Sequence, residues 1–198
     1  DGATKFRRDI ELLEQGLRDE PNNRRYRFYL AQSYKDVGDN DAAIENYELR
    51  ASAGGFSEEV YHSLYSIGVC QERKKKSLDD EVTTSYLRAF NYRNTRLEAL
   101  YRIVYMLRIK GKCREAFGYG MLAYGHRMPS DVLFVEEDVH KYKFDFEFSI
   151  AAYWVGFYDL AHSITKRILD EKCYAPAYLS ALENNLGFCV KKLSASPS

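Results

Sequence analysis

Apolar side chains recur every three or four residues along most of this chain, and short polar segments containing Gly, Asn, Asp or Pro separate the apolar stretches. This spacing places the apolar residues on one face of an α-helix. The sequence therefore predicts a series of short amphipathic helices and an all-α fold.

The predicted helices also recur in pairs, with the spacing of a 34-residue helix–turn–helix repeat. In the clearest copy, Leu30 and Tyr34 lie one turn apart on the first helix, and Gly38 permits the turn that follows. Ala43 lets the second helix approach closely, and Tyr47 fills the groove between the two helices. The pattern predicts stacked helical hairpins.

We predict one repeat domain over residues 1–193, a right-handed solenoid of about four helix pairs with flanking helices. Its predicted parts are a half repeat at 5–22, repeats at 24–57, 61–96, 97–130 and 142–175, a capping helix at 176–190 and a disordered tail at 194–198. Because the chain opens within a repeat, we expect it to be a segment of a longer protein. An apolar end face exposed there would favour pairing of two copies.

Stacked helix pairs present a concave face lined by the first helix of each pair, and a ligand would bind there. The repeat register predicts that this face is aromatic with scattered polar groups. The binding candidates on it are Arg25, Phe28, Gln32, His62, Tyr65, Tyr101, Tyr105, Arg108, Tyr153 and Trp154, and Glu72 and Phe146 share the same register. For the four tyrosines of this set, packing inside the core is the alternative. Tyr34, Tyr47 and Tyr86 are predicted to be core residues.

Charge and composition narrow the possible partners. Lys and Arg together number 29, as do Asp and Glu, so the formal net charge is zero, which removes the electrostatic reason to expect nucleic acid. Aromatic residues make up 15% of the chain, with only 4 Pro and 12 Gly, a composition that favours helices packed by rings. The run Lys74–Lys76 is predicted to be a solvated turn.

The cysteines and the hydropathy indicate an intracellular soluble protein. The four cysteines are far apart in sequence and form no C-x-x-C pair, so we interpret them as reduced core thiols. No apolar run approaches the roughly 20 residues that span a bilayer. We predict a cytoplasmic location and no membrane span.

The repeat register resembles that of the tetratricopeptide superfamily, and the likeness extends to the repeat region attached to family-2-type glycosyltransferases. The segments that carry it are residues 8–17 (RDIELLEQGL), 24–47, 58–67 (EEVYHSLYSI) and 133–161. His140 stands where that family usually has Tyr, and Lys74–Lys76 lengthens one turn. The resemblance implies that a nucleotide-sugar transferase domain precedes these repeats in the parent protein.

The chain itself shows no constellation of catalytic residues. Asp39-Asn40-Asp41 has the Asp-x-Asp spacing of a sugar-nucleotide metal site, but it lies in a predicted interhelical turn, where Asp and Asn cap helices. The four histidines fall in different repeats, and His140 has no second His three or four residues away. Gly118 and Gly120 are predicted to allow close helix contact. We predict no enzyme activity, metal or cofactor for this segment.

Two functions remain open. The first is a scaffold whose inner face binds a protein or peptide partner, including the parent's own glycosyltransferase domain or a second copy. The second is a domain that positions the acceptor glycan of a glycosyltransferase, since aromatic rings stack on sugar faces while Arg and Glu bond hydroxyls.

Overall fold

The computed structural model describes residues 2–126 and 128–195, and within these ranges it is all-helical, with ten α-helices and no strand. The predicted all-α fold of helical hairpins is confirmed. The chain divides into two compact units, residues 1–93 with 131–134 and residues 94–130 with 135 onward. We call them the N-terminal and C-terminal units.

The N-terminal unit contains five helices, each packed against its neighbour in sequence. They are α1 (Gly2–Asp19), α2 (Arg24–Val37), α3 (Asn40–Ser52), α4 (Ser57–Lys75) and α5 (Asp80–Tyr92). The C-terminal unit contains α6 (Glu98–Ile109), α7 (Cys113–Met121), α8 (Phe144–Trp154), α9 (Tyr158–Glu171) and α10 (Leu179–Ala195). A π-helical turn, Val139–Lys143, leads into α8, and a 3-10 turn, Pro176–Tyr178, leads into α10.

Three helices of the N-terminal unit begin at a short polar residue, and one of them ends at a glycine. Asn23, Asp39 and Asp79 accept hydrogen bonds from backbone N–H groups in the first turns of α2, α3 and α5. Gly38 ends α2 with a φ of 86°, in the left-handed region that favours glycine. The capping interpretation of Asp39 is thereby confirmed, and the Asp-x-Asp sequence forms a helix start.

Two of the three tyrosines predicted to be core residues are fully buried, and the third is not. Tyr47 and Tyr86 are fully buried, whereas Tyr34 is half-buried and donates its hydroxyl to Glu14 of α1. A Cβ atom built on Gly68 of α4 would lie 2.7 Å from the Tyr86 ring. Only glycine therefore allows α4 and α5 to approach this closely, as ridges-into-grooves packing requires.

The C-terminal unit packs around aromatic rings of α8. Phe148 is fully buried against Phe117, Tyr124 and Phe144, with ring centroids 5.4–6.2 Å apart. Gly120 touches this ring, which confirms its close-contact role. No neighbouring atom lies within 4 Å of a Cβ built on Gly118, so the same prediction is wrong for that residue.

The structure changes several details at the ends of elements. The last helix continues to Ala195, five residues beyond the predicted end, so Ser194 and Ala195 are helical and not part of a disordered tail; residues 196–198 lie outside the described residues. Cys70 and Cys189 are buried free thiols, but Cys113 and Cys173 are partly exposed and are not core residues. The division into four repeats stays a prediction. None of the described helices is long and apolar enough to cross a membrane.

Candidate functional site

The N-terminal unit holds five of the predicted binding residues, and it buries three of them. Phe28 on α2 and His62 and Tyr65 on α4 are buried, whereas Arg25 is exposed and Gln32 is half-buried. These three residues are therefore not open to solvent in this structure, and their role as binding candidates stays a prediction.

A short non-helical segment, bent at residues 133 and 134, covers part of this surface. It is Asp131–Phe134, from the connection between α7 and α8, and we call it the docked segment. The ring of Phe134 lies over His62, with centroids 4.5 Å apart, and 6.3 Å from the ring of Phe28. His62 and Phe28 also meet edge to face at 5.8 Å. Three rings thus form one apolar contact, which is the kind of anchor that aromatic residues provide in protein interfaces.

Polar groups fix the other end of the docked segment. The side chain of Asp131 is only 1% exposed and accepts hydrogen bonds from two nitrogens of Arg93, the residue that follows α5. Nη1 of Arg93 also donates to Ser57 Oγ at 3.2 Å, which orients the guanidinium. A carboxylate and a guanidinium bonded in this two-point manner form one of the stronger and more directional contacts in proteins.

The backbone of the docked segment is held as well. The N–H groups of Val132 and Leu133 both donate to Oε2 of Glu58, at 2.9 and 2.7 Å. Because these contacts use main-chain donors, any segment whose backbone bends in the same way could make them, whatever its side chains at those two positions. We call Phe28, Glu58, His62 and Arg93 together the docking face.

Sequence reasoning missed most of this site. It identified Phe28 and His62 from the repeat register. It did not identify Glu58, Arg93 or the docked segment. The docked segment lies outside any helix, so periodicity carries no signal for it. The only sequence trace is an acidic residue followed three positions later by Phe within a polar connection.

In the C-terminal unit, α6 presents Tyr101, Tyr105 and Arg108 along one face. The two tyrosine rings stack at 6.0 Å, and the Arg108 guanidinium lies 5.8 Å from the Tyr105 ring. Arg108 Nε also donates to Glu147 of α8, a carboxylate that is nearly fully buried. Burial raises the pKa of Glu147, and Arg108 partly offsets that rise. Arg108 is thus already paired within the unit, although its candidacy as a ligand contact stays a prediction.

Tyr153 and Trp154 stand at the end of α8. Trp154 is 69% exposed, and its ring meets that of Tyr153 edge to face at 5.8 Å. On one side they line an apolar cavity of about 120 Å³ together with Phe188 of α10. On the other side Trp154 borders an open cleft of about 750 Å³ that also includes Arg108 and Arg114. Sequence reasoning found the two aromatic residues of α8 but not Phe188 or Arg114.

The described residues form no cluster of the kind that holds a metal ion. Within residues 2–126 and 128–195, no three His, Cys, Asp or Glu side chains lie close enough together to hold a metal ion. His140, considered at the sequence level as half of a metal site, instead has its Nε2 atom 3.4 Å from Glu98, which is also hydrogen-bonded to Arg96.

Comparison with solved structures reveals similar folds. BtubC (BKLC) from P. vanneervenii matches with a TM-score of 0.65 at 15% identity, covering 97% of this chain and 83% of that chain. MamA matches with a TM-score of 0.58 at 17% identity, covering 85% of this chain and 84% of that chain. At such identities the likeness establishes the fold alone, a tetratricopeptide-like stack of helical hairpins. No protein-family model and no curated protein sequence matches this chain.

Proposed function

We propose that this chain is a non-catalytic protein-interaction scaffold, and that the docking face of its N-terminal unit binds a short non-helical segment of a partner protein. One observation carries the proposal: this face already holds four non-helical residues by an ion pair, two backbone hydrogen bonds and a ring contact. Those are the contacts by which helical repeat surfaces can recognise peptides.

Each of these contacts makes a different contribution to the recognition of a peptide. The ion pair between the partly exposed Arg93 and a buried acidic side chain supplies direction, and the rings of Phe28 and His62 supply apolar area. Glu58 adds anchoring that is independent of sequence, because it accepts backbone N–H groups. A few well-placed anchors of this kind carry most of the affinity in typical interfaces.

The test is a selection from a random peptide library against the whole chain, followed by measurement of the dissociation constants of the selected peptides. We expect Glu58→Ala to weaken their binding about tenfold or more, because hydrogen bonds to a charged acceptor are worth about 1.5–3 kcal/mol. Glu45→Ala, an exposed carboxylate on α3, is the matched control and should leave binding unchanged. Failure to enrich any peptide, or equal binding by the two variants, would refute the proposal.

A second function, accessory to a glycosyltransferase, is favoured by one observation in the C-terminal unit. Exposed Trp154, beside Tyr153 and an open cleft with Arg108 and Arg114, has the chemistry that stacks on and bonds to a sugar ring. The resemblance of the repeats to those of family-2-type glycosyltransferases points the same way. In that case the unit positions an acceptor glycan, and the chain's partner is its own transferase domain or a second copy.

A glycan array distinguishes this second function. We expect Trp154→Ala to abolish any saccharide binding, because loss of the stacking ring removes the main apolar contact, worth about 1–3 kcal/mol. Tyr92→Ala, which removes another exposed aromatic ring at the end of α5, should have no effect. Saccharide binding that survives in Trp154→Ala, or an array with no bound glycan, would rule this site out.

A further inference from the structure

We propose that the docking face recognises partner segments in which an acidic residue is followed three positions later by an aromatic residue, with no proline between them. Asp131–Phe134 is then an internal occupant that such a partner replaces. The inference rests on the proposed scaffold function and deepens it by naming the chemistry of the partner. It is carried by the contacts of the four residues of the docked segment.

The acidic position is the most strictly defined. Asp131 is almost completely removed from solvent and meets a guanidinium that Ser57 holds in place. A neutral side chain at this position would leave the Arg93 charge without its buried partner, which disfavours binding strongly. Asp fits the observed distance, and Glu supplies the same group on a longer stem.

The two middle positions are selected through their backbone. Both donate an N–H to the same Glu58 oxygen, so neither can be proline, which has no N–H to donate. Their side chains are less constrained, since Val132 is 84% exposed. The two hydrogen bonds also fix the register of the segment. They hold the middle residues on Glu58, so that the residue before them meets Arg93 and the residue after them meets His62.

The aromatic position is defined by the rings beneath it. Phe134 lies on His62 and near Phe28, but it remains 50% exposed. The open side leaves room for the larger rings of Tyr and Trp. A small aliphatic residue would reach neither ring and would lose this contact.

The internal occupant is held imperfectly, which makes it replaceable. Phe134 has a φ of 50°, in the left-handed region that non-glycine residues rarely adopt and that is strained for them. The segment also lacks any helix or strand of its own. A partner segment free of the connection to α7 and α8 can place an aromatic ring on His62 with an ordinary backbone. Because the docked segment belongs to the same chain, it competes with a partner at a high effective concentration. Only a partner segment with sufficient affinity replaces it.

The experiment uses a fluorescent peptide with the sequence of residues 130–136, SDVLFVE, and the whole chain in two forms. One is the parent and the other is the double variant Asp131→Ala/Phe134→Ala, which removes the anchors of the internal occupant. We expect the peptide to bind the double variant about tenfold or more tightly than the parent, since two anchors no longer compete. Adding Arg93→Ala should abolish that binding, whereas adding Arg88→Ala, whose side chain pairs with Glu48 on the helix surface, should not.

Altered peptides test the recognition pattern itself. Asn in place of Asp, or Pro in place of Leu, should weaken binding about tenfold or more, because each removes a charge-assisted hydrogen bond. Ala in place of the first Val, which corresponds to the exposed Val132, is the matched control and should bind like the original peptide. Equal binding of the Pro and Ala peptides, or equal affinity of the parent and the double variant, would overturn the inference.

Further outcomes separate this inference from the scaffold function. Library peptides that bind through Glu58 but lack the acidic and aromatic pattern would overturn the inference and leave the scaffold function standing. If the parent forms a dimer that is lost in the double variant, the docking face binds residues 131–134 of a second copy of this chain. That result would overturn the proposal of a different partner protein. If circular dichroism shows that the double variant is unfolded, Phe134→Ala alone, with the same expected direction, takes its place.

Discussion

Replacement of Glu98 by Gln is expected to lower the free energy of unfolding by about 3–5 kcal/mol, the typical result of removing one partner of a buried ion pair. Glu98 and Arg96 are each only 1% exposed, and Arg96 Nη2 donates to Glu98 Oε1 at 2.7 Å. Glu98 also accepts the backbone N–H of Glu136 at 3.2 Å and lies beside His140. With Gln in its place, the buried guanidinium of Arg96 loses the carboxylate of Glu98 as its counter-charge.

The same carboxylate makes the stability depend on pH. Burial alone would raise the pKa of Glu98, but the neighbouring His140 and Arg96 outweigh burial and lower it to about 2. The folded-state pKa is thus below the unfolded value of about 4.3. Its contribution is fully present above the unfolded value and is lost as the pH falls toward 2.

Urea denaturation at pH 7, 4 and 3 measures both effects. We expect the parent to lose stability over this range more steeply than Glu98→Gln does, because the variant has no carboxylate to protonate at this position. Glu183→Gln, an exposed site on α10, is the control and should match the parent at each pH. A stability of Glu98→Gln within 1 kcal/mol of the parent at pH 7, below the lower end of the expected range, would contradict the buried-pair account.

The repeat packing could be predicted from sequence because its signals are local. Gly38 must adopt a left-handed conformation at a turn, and Tyr47 and Tyr86 recur at fixed distances from small residues. Each of these signals lies within one hairpin, so spacing alone places it. The helix cap at Asp39 follows from the same short-range reasoning.

The candidate site could be predicted only in part, because it depends on contacts distant in sequence. The register placed Phe28 and His62 on the inner face, but the ring that packs on them is Phe134, more than seventy residues further along the chain. The pair of Asp131 with Arg93 likewise joins residues 38 apart in non-helical positions. No periodicity connects such residues, so only the folded chain reveals them.

Substitution of Gly120 by Ala is expected to lower the free energy of unfolding by about 1–3 kcal/mol through overpacking. A Cβ atom at this position of α7 would lie 2.7 Å from Cε2 of Phe148, inside van der Waals contact. The Phe148 ring cannot move aside easily, because Phe117, Tyr124 and Phe144 pack around it. The added methyl group must therefore shift α7, the ring or both.

Gly118, two residues earlier in α7, provides the matched control. It lies in an exposed position with open space around it, so Gly118→Ala should stabilise the chain by about 0.5–1 kcal/mol, the helix preference of Ala over Gly. Opposite signs for the two substitutions in chemical denaturation would show that packing against Phe148 outweighs helix propensity at Gly120. The double variant Gly120→Ala/Phe148→Leu should lose less stability than the sum of the two single losses, since a smaller side chain at position 148 makes room for the methyl group. Equal stabilisation by both alanines would mean that α7 does not approach α8 this closely.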